Sequence, residues 1–481
     1  MNKLLKGLKE KENLTYTLNG ALTHKSTNNK CLDLFALGGA YRGRPDEDCI
    51  KLFQEAFEED SVIALKLLFY IRDVRDGLGE RRFFRVCYRW LALDHPDIAK
   101  KYIQYIPKFG RWDDLYSLFD TPLEKKVLDY LTMQFIIDQI MTEPSLLFKW
   151  LPSENTSSKA TRKLATKIRT HFDLSPREYR KALSAGRKKL KLVETAMSQN
   201  QWNSIEYDKL PSIAGFKYKN AFLTKDKKRY LEFINSNKTK VNAATLYPYQ
   251  VVSKVINSYD NEEREILNKY WDNLKDYFNG KEFNGIAVVD TSGSMYGTPI
   301  NVAISLGLYL AEKAKGPFAN HYISFSSKPQ LIETRGKDFF DKVVNIYKTN
   351  LIENTNIEAV FDLILDTAIA AGASQEDLPE NIIIISDMEF DLAVYSNQKI
   401  NTNTLLENMY IKFKDHNYTM PKLIFWNLNS YQNNIPVINP NEKISYVSGF
   451  TPAIFETLLS GKTGIELMLE IISKYDFISS F

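Results

Sequence analysis

The stretch Ile286-Ala287-Val288-Val289-Asp290-Thr291-Ser292-Gly293-Ser294 joins a short apolar run to an acid and two serines spaced by two. A short, continuous apolar run followed by turn residues predicts a buried strand ending at Asp290. Gly293 is expected to let the next loop turn sharply. A carboxylate and serine oxygens in one turn make a hard, all-oxygen environment. Mg2+ prefers such ligands and keeps some of its waters because it dehydrates reluctantly. A second apolar run over 382–385 leads into Ser386-Asp387, so Asp387 is expected at the same sheet edge. Thr355, in the loop before a helix expected over 357–371, is a candidate third hydroxyl. Taken alone, the Ser/Asp/Gly turn also reads as a capped turn in which the side chains satisfy backbone groups.

The surroundings of this stretch alternate in period. Strands are expected at 286–290, 321–325, 382–385 and 423–426. Helices are expected over about 299–315, 339–347, 357–371 and 465–475. Strands alternating with helices imply a parallel sheet covered on both faces, with ligands at the carboxyl ends of the strands. Before about residue 278 the spacing is helical instead. Val62, Leu65, Leu68 and Phe69 follow Asp60-Ser61. Phe83, Phe84, Cys87, Trp90 and Leu91 form a second apolar side that stops before Pro96, and a further unit runs over 100–106 to Pro107. Ser175-Pro176-Arg177-Glu178 is a helix start with a capping box. From it, Tyr179, Leu183, Gly186, Leu190, Val193 and Met197 predict one buried stripe. In the preceding helix Ala160, Leu164, Ala165, Ile168 and Phe172 are expected to face inward. Short helices broken by Gly and Pro suggest a helical-repeat, HEAT-like array, although no strict sequence period is present. The expected fold class is therefore a helical-repeat domain over 1–278 followed by a Rossmann-like α/β domain with a central parallel sheet over 279–481.

Asp-x-Ser-x-Ser after a Val-Val strand, a loop threonine and a strand-end aspartate resemble the metal-ion-dependent adhesion site (MIDAS) of von Willebrand factor A domains. That resemblance implies Ser292 and Ser294 as direct ligands of Mg2+ or another divalent cation. Thr355, Asp290 and Asp387 would complete the shell, and a sixth position would stay open for a partner's carboxylate. The chain has Glu353 where that family often has glycine, two residues before the threonine. A helical-repeat region followed by an A domain resembles the Ro ribonucleoprotein family, in which a ring of helical repeats, the TROVE module, binds RNA. The matching segments are Asn19-Gly20-Ala21-Leu22-Thr23, residues 71–81, Phe109-Gly110-Arg111-Trp112-Asp113-Asp114-Leu115, residues 179–194 and residues 202–211. They are most similar to a Ro-like branch found in plants and large DNA viruses.

Composition sets the outer limits. The 481 residues are 44% hydrophobic and 25% charged, with 21 Gly and 17 Pro, which excludes wholesale disorder and collagen-like chains. Three cysteines, Cys31, Cys49 and Cys87, cannot form a disulfide framework at this length, and a reducing compartment is expected. Five scattered histidines without Cys-x-x-Cys argue against zinc. The longest apolar run, over 62–71, is interrupted by Lys66 and falls short of the roughly 18 residues that span a bilayer. The N-terminal segment carries charges throughout and does not read as a secretory signal. A soluble, intracellular chain is expected, cytoplasmic, with nuclear residence left open by its basic clusters.

The net charge of +4 is unevenly spread. Residues 159–191 carry a balance of +10 and residues 217–240 a balance of +6, which leaves −12 elsewhere. A basic block against an acidic remainder points to a polyanion partner. The candidate RNA contacts are Arg162, Lys163, Lys167, Arg169, Arg180, Lys181, Arg187, Lys188, Lys189, Lys191, Lys225, Lys227, Lys228 and Arg229. Most lie off the apolar stripes and would neutralise phosphates without reading sequence. Tyr218 and Phe222 are candidate stacking rings for single-stranded RNA. Arg82, Arg85 and Arg89 form either a second phosphate row or intramolecular pairs with Asp73, Asp76 and Glu80. Trp112 reads as a packing anchor.

The function expected from these residues is a non-enzymatic RNA-binding scaffold of Ro type, with a metal site for structure or partner docking. It would bind single-stranded or small structured RNA. One alternative is a metal-dependent protein-interaction adaptor without RNA, which captures a partner's Asp or Glu. Another is a haloacid-dehalogenase-like phosphatase, with Asp391 as a later acid. That chemistry needs a second Asp where this chain has Ser292, and a neutral hydroxyl is a poor general acid near pH 7.

Overall fold

The computed structural model describes residues 8, 11–256, 261–326, 328–349, 356–390, 405–436 and 444–479. The described chain is a helical N-terminal region followed by a six-stranded, mostly parallel sheet. It divides into two compact units. One comprises residues 1–71, 76–78 and 244–477, and the other residues 72–75, 79–243 and the chain from 478. These units cut across the division at 278 that periodicity suggests, because the N-terminal segment up to residue 71 packs with the sheet.

The sheet unit holds strands β1 (Leu14–Tyr16) and β2 (Leu22–His24), which form an antiparallel hairpin. Its main sheet contains β3 (Gly285–Asp290), β4 (His321–Phe325), β5 (Leu331–Glu333), β6 (Asn381–Ser386), β7 (Lys422–Asn427) and β8 (Ile444–Ser448). Their order is β5-β4-β3-β6-β7-β8, and only β5 runs antiparallel to its neighbour. The central strands are buried on both faces, which explains why they are continuous apolar runs without alternation. Gly307 lets the Thr298–Lys313 helix lie close on the sheet, since a Cβ there would sit 2.4 Å from Val289 Cγ2. On the far edge, the Lys30–Leu37 helix and the turn after it cover β8. Gly39 N–H donates to Ser448 Oγ at 3.0 Å, and Ser448 Oγ donates to Phe35 O.

The second unit is helical and has no strand among its described residues. Its centre is a buried charge network built from two sequence motifs. Arg72 reaches Asp114 at 2.7 Å, with both side chains almost wholly buried. Arg85 bonds Asp114 Oδ1 at 2.7 Å and Asp113 at 2.9 Å. Gly110 is required at this crossing, because a Cβ would lie 2.4 Å from Asp114 Oδ2 and 2.8 Å from Arg72 Nε. Trp112 is buried and stacks on Tyr130 with centroids 5.5 Å apart, as a packing anchor should.

Several helical expectations change in detail. The capping box at Ser175 and Glu178 is present. The stripe that follows is broken, however. The helix ends at Lys189, Lys191 takes a left-handed φ of +48°, and a new helix spans Val193–Ser198. Tyr179, Leu183, Gly186 and Val193 are buried, whereas Leu190 and Met197 are only half-buried. Ala160 is exposed, because it lies in the first turn, beyond the contact face. Pro96 opens the Pro96–Tyr102 helix, and Pro107 sits in the first turn of Ile106–Phe109, where the missing N–H costs nothing. Among the described residues no helix is long and apolar enough to cross a membrane.

Candidate metal centre and cationic face

Parallel pairing of β3 with β6, in register at Val289 and Ile385, carries Asp290 and Ser386 off the sheet side by side. Asp290 is fully buried and its carboxylate is fixed at both oxygens. Oδ1 accepts the Ser292 N–H at 2.9 Å and Oδ2 accepts the Ser386 hydroxyl at 2.6 Å. The loop then turns, and Ser292 Oγ stands 3.1 Å from Ser294 Oγ. Gly293 has ordinary backbone angles and open space around it, so the turn does not require glycine there. Gly297, at φ +95°, is the position that does. Tyr431, in the loop after β7, donates its hydroxyl to Ser294 O at 3.0 Å.

Asp387 follows β6 and is 1% exposed. Its Oδ1 accepts the Glu389 N–H at 3.2 Å, while Oδ2 is buried with no hydrogen-bond partner. Burial, and then the proximity of Asp387, hold the Asp290 carboxyl well above the usual carboxylate range. Burial likewise raises Asp387, and the Ser294 hydroxyl partly offsets that rise. Among the described residues neither aspartate has an ion-pair partner. Two buried carboxylates, one with an unfilled oxygen, together with two hydroxyls form a donor set that fits a hard divalent cation. The set contains only two acids, and among the described residues no cluster of three or more His, Cys, Asp or Glu side chains is placed to hold a metal. Thr355, Glu353 and Asp391 lie outside the described residues.

Several groups around this centre are not marked by any motif. Ser386 orients Asp290, Glu389 backs the Asp387 turn, and Tyr431 braces the serine loop. Only the strand pairing and the loop contacts reveal them. Tyr296, two residues beyond Ser294, is 89% exposed and shows a whole aromatic ring beside the site.

The structure divides the fourteen candidate RNA contacts into two groups. One is committed internally. Arg187 gives its guanidinium to Phe148 O, Leu151 O and Ser153 Oγ, and burial lowers its pKa. Arg169 pairs with Glu154, and Lys167 with Asp120 and Glu124. Arg229 pairs with Asp226 and bonds the carbonyls of Trp202, Asn203 and Ile205. Lys189 caps the carbonyls of Gln139 and Met141, and Arg162 those of Thr156 and Ser157. The other group, Lys163, Arg180, Lys181, Lys188, Lys191, Lys225, Lys227 and Lys228, is exposed, and of these Lys227 also makes an interaction within the chain. Phe222 belongs to an aromatic core with Tyr207 and Tyr230, and Tyr218 is half-buried with its hydroxyl on Glu194. Arg85 and Arg89 are likewise internal: Arg85 bonds Asp113 and Asp114, and Arg89 the carbonyls of Ser117 and Phe119.

The architecture and this site together define a two-part chain, a helical region joined to an α/β sheet with a carboxylate–hydroxyl cluster at its strand ends. Residues 17–171 and 145–280 match the family described as "Domain of unknown function (DUF2828)", over more than half of the sequence, and the chain belongs to that family. Residues 284–474 match a second family, "Domain of unknown function (DUF7788)". The chain is also similar to "Uncharacterized protein L728" of Acanthamoeba polyphaga mimivirus. The two are 29% identical over 510 residues, which covers 96% of this chain and 88% of that protein.

Proposed function

We infer that the chain is a non-enzymatic scaffold. Its sheet unit, read as a von Willebrand A-like domain, holds a divalent cation, and its helical unit, read as a HEAT-like TROVE module, binds RNA. The observation that carries the metal half is the buried, unpartnered Asp387 Oδ2 beside Asp290 and the paired hydroxyls of Ser292 and Ser294. Ser292 and Ser294 would hold Mg2+ directly, with the two aspartates completing the charge. Thr355 remains a proposed ligand. The cation would supply an electrophilic position for a partner's carboxylate, and the exposed ring of Tyr296 gives that partner an apolar surface beside it.

The RNA half rests on the exposed lysines and arginines of the Lys159–His171 and Pro176–Lys189 helices and the turns that follow them. Such a surface releases counterions from phosphates and binds without reading bases. The adaptor reading without RNA gains from the internal commitment of Arg187, Arg169, Lys167 and Arg229. Phosphatase chemistry gains nothing, because a serine occupies the place of its general acid. The absorbance ratio at 260 and 280 nm of the purified chain, before and after RNase, decides between scaffold and adaptor. A nuclease-sensitive excess at 260 nm is expected; a protein-like ratio that RNase leaves unchanged removes the RNA half.

A further inference from the structure

The turn that presents Asp387 is tight and lies beyond the end of β6 at Ser386. Met388 takes a left-handed φ of +64°, rare for a residue with a side chain, and its N–H donates to Ser386 Oγ at 3.0 Å. The next two residues are held by a segment some 370 positions earlier in the chain. Leu18 N–H donates to Glu389 Oε2 at 2.7 Å, Asn19 Nδ2 donates to Glu389 O at 2.7 Å, and Thr17 Oγ1 donates to Phe390 O at 2.7 Å. Asn434, in the loop after β7, donates to Glu389 Oε1 at 2.9 Å. Glu389 is 2% exposed, and these donors help to make its burial tolerable.

The donors belong to a preformed turn. Thr17 and Ala21 close the β1–β2 hairpin through N–H to carbonyl at 2.9 Å, Ala21 N–H reaches Thr17 Oγ1 at 2.9 Å, and Gly20 takes φ +88°. The hairpin is tied to the loop after β7 as well. His24 and Ile435 exchange backbone hydrogen bonds at 3.1 and 2.9 Å, and Thr23 Oγ1 donates to Ile435 O. One short hairpin thus grips both loops that border the carboxylate–hydroxyl cluster.

We propose that the Thr17–Ala21 hairpin turn is a clamp that positions Asp387 for the metal through Glu389, a positioning residue and not a ligand. The proposal rests on the metal reading above. If the clamp fixes Asp387, loosening it lowers metal affinity with every ligand still present, as removal of supporting groups behind a ligand does. Linkage makes the effect reciprocal, so metal binding must tighten the hairpin.

The test uses the full chain and Mn2+ as the probe, with binding followed by electron paramagnetic resonance of the free ion and backbone opening by hydrogen exchange. The double variant Thr17→Val/Asn19→Ala is expected to weaken Mn2+ binding about tenfold or more. Glu389→Gln, which keeps an acceptor, is expected to lose less than Glu389→Ala. In the unaltered chain, Mn2+ is expected to slow exchange at the amides of residues 18–24, and Ser292→Ala is expected to abolish that slowing. A merely structural hairpin would lower thermal stability in EDTA and leave Mn2+ affinity unchanged. Mn2+ binding that the double variant leaves intact, or hairpin amides whose exchange ignores the metal, overturns the clamp alone. No Mn2+ binding by the unaltered chain removes the metal reading, and the clamp with it. The exchange measurement needs no variant, so a misfolded mutant does not blunt the test.

Discussion

Ser386 Oγ donates to Asp290 Oδ2 at 2.6 Å across the β3–β6 pair, and this bond assigns different tasks to the two aspartates. Asp290 is locked between a hydroxyl and the Ser292 amide, so it orients the serine loop and supplies charge. Asp387 keeps one buried oxygen without a partner. The incomplete group is therefore the one that gains most from a cation.

Mg2+ at a hundred times its Kd is expected to stabilise the chain by about 2.7 kcal/mol. Ser292→Ala and Asp387→Asn should each reduce that gain to near zero. Urea unfolding with Mg2+ and with EDTA measures both. An equal Mg2+ gain in all three chains would place the ion elsewhere.

The two buried carboxylates should make stability depend on pH in the absence of a cation. Burial raises Asp290 and Asp387 above the unfolded value of 3.8. Above that value the folded state then binds more protons than the unfolded state, so this contribution to stability falls as pH rises. In EDTA, urea midpoints are expected to climb as the solution is taken from about pH 8 to about pH 5. The Mg2+ increment is expected to shrink over the same interval, because protons compete for the carboxylates. Asp387→Asn should flatten both trends.

The cationic positions should separate by function. Changing Lys163, Arg180, Lys181, Lys188 and Lys191 together to Glu is expected to weaken poly(U) binding for all sequences alike. It should also reduce the salt slope by about 0.7 for each phosphate that the altered surface no longer neutralises. Arg187→Glu is expected to unfold its surroundings instead, since its guanidinium holds Phe148 O, Leu151 O and Ser153 Oγ. Fluorescence anisotropy between about 50 and about 200 mM salt, set beside urea midpoints, resolves the two.

The Arg72–Asp114 contact makes a prediction independent of any ligand. Asp114→Asn leaves a buried guanidinium facing a neutral amide and is expected to cost about 3–5 kcal/mol. Gly110→Ala drives a methyl against Asp114 Oδ2 and Arg72 and should cost about 1–3 kcal/mol. Circular dichroism under urea measures both. A loss under about 0.5 kcal/mol in either would show that the network is dispensable.

Much of the architecture is written in local pattern. The strands over 286–290, 321–325 and 382–385 and the helix over 357–371 appear within a residue of their expected ends, because each is an apolar run or face with a clear boundary. β5 escapes such reading because it is three residues long, and the Leu405–Asp415 helix is likewise not among the expected elements. β8 is not among the strands expected from the sequence, although Asn439-Pro440 precedes it and Ser448-Gly449 ends it.

Sequence alone determined that a carboxylate and two hydroxyls would meet at a strand end, since five contiguous residues, Asp290 to Ser294, carry that information themselves. It also determined the excess of positive charge in the helical region. Only the tertiary structure decided which of those cations turn inward, because a guanidinium finds its carbonyls or carboxylates by packing and not by spacing. Tertiary structure also decided that Asn19 and Glu389 meet. Periodicity records which face of an element is buried, whereas the partner of a buried group some 370 residues away is chosen when the whole chain closes on itself.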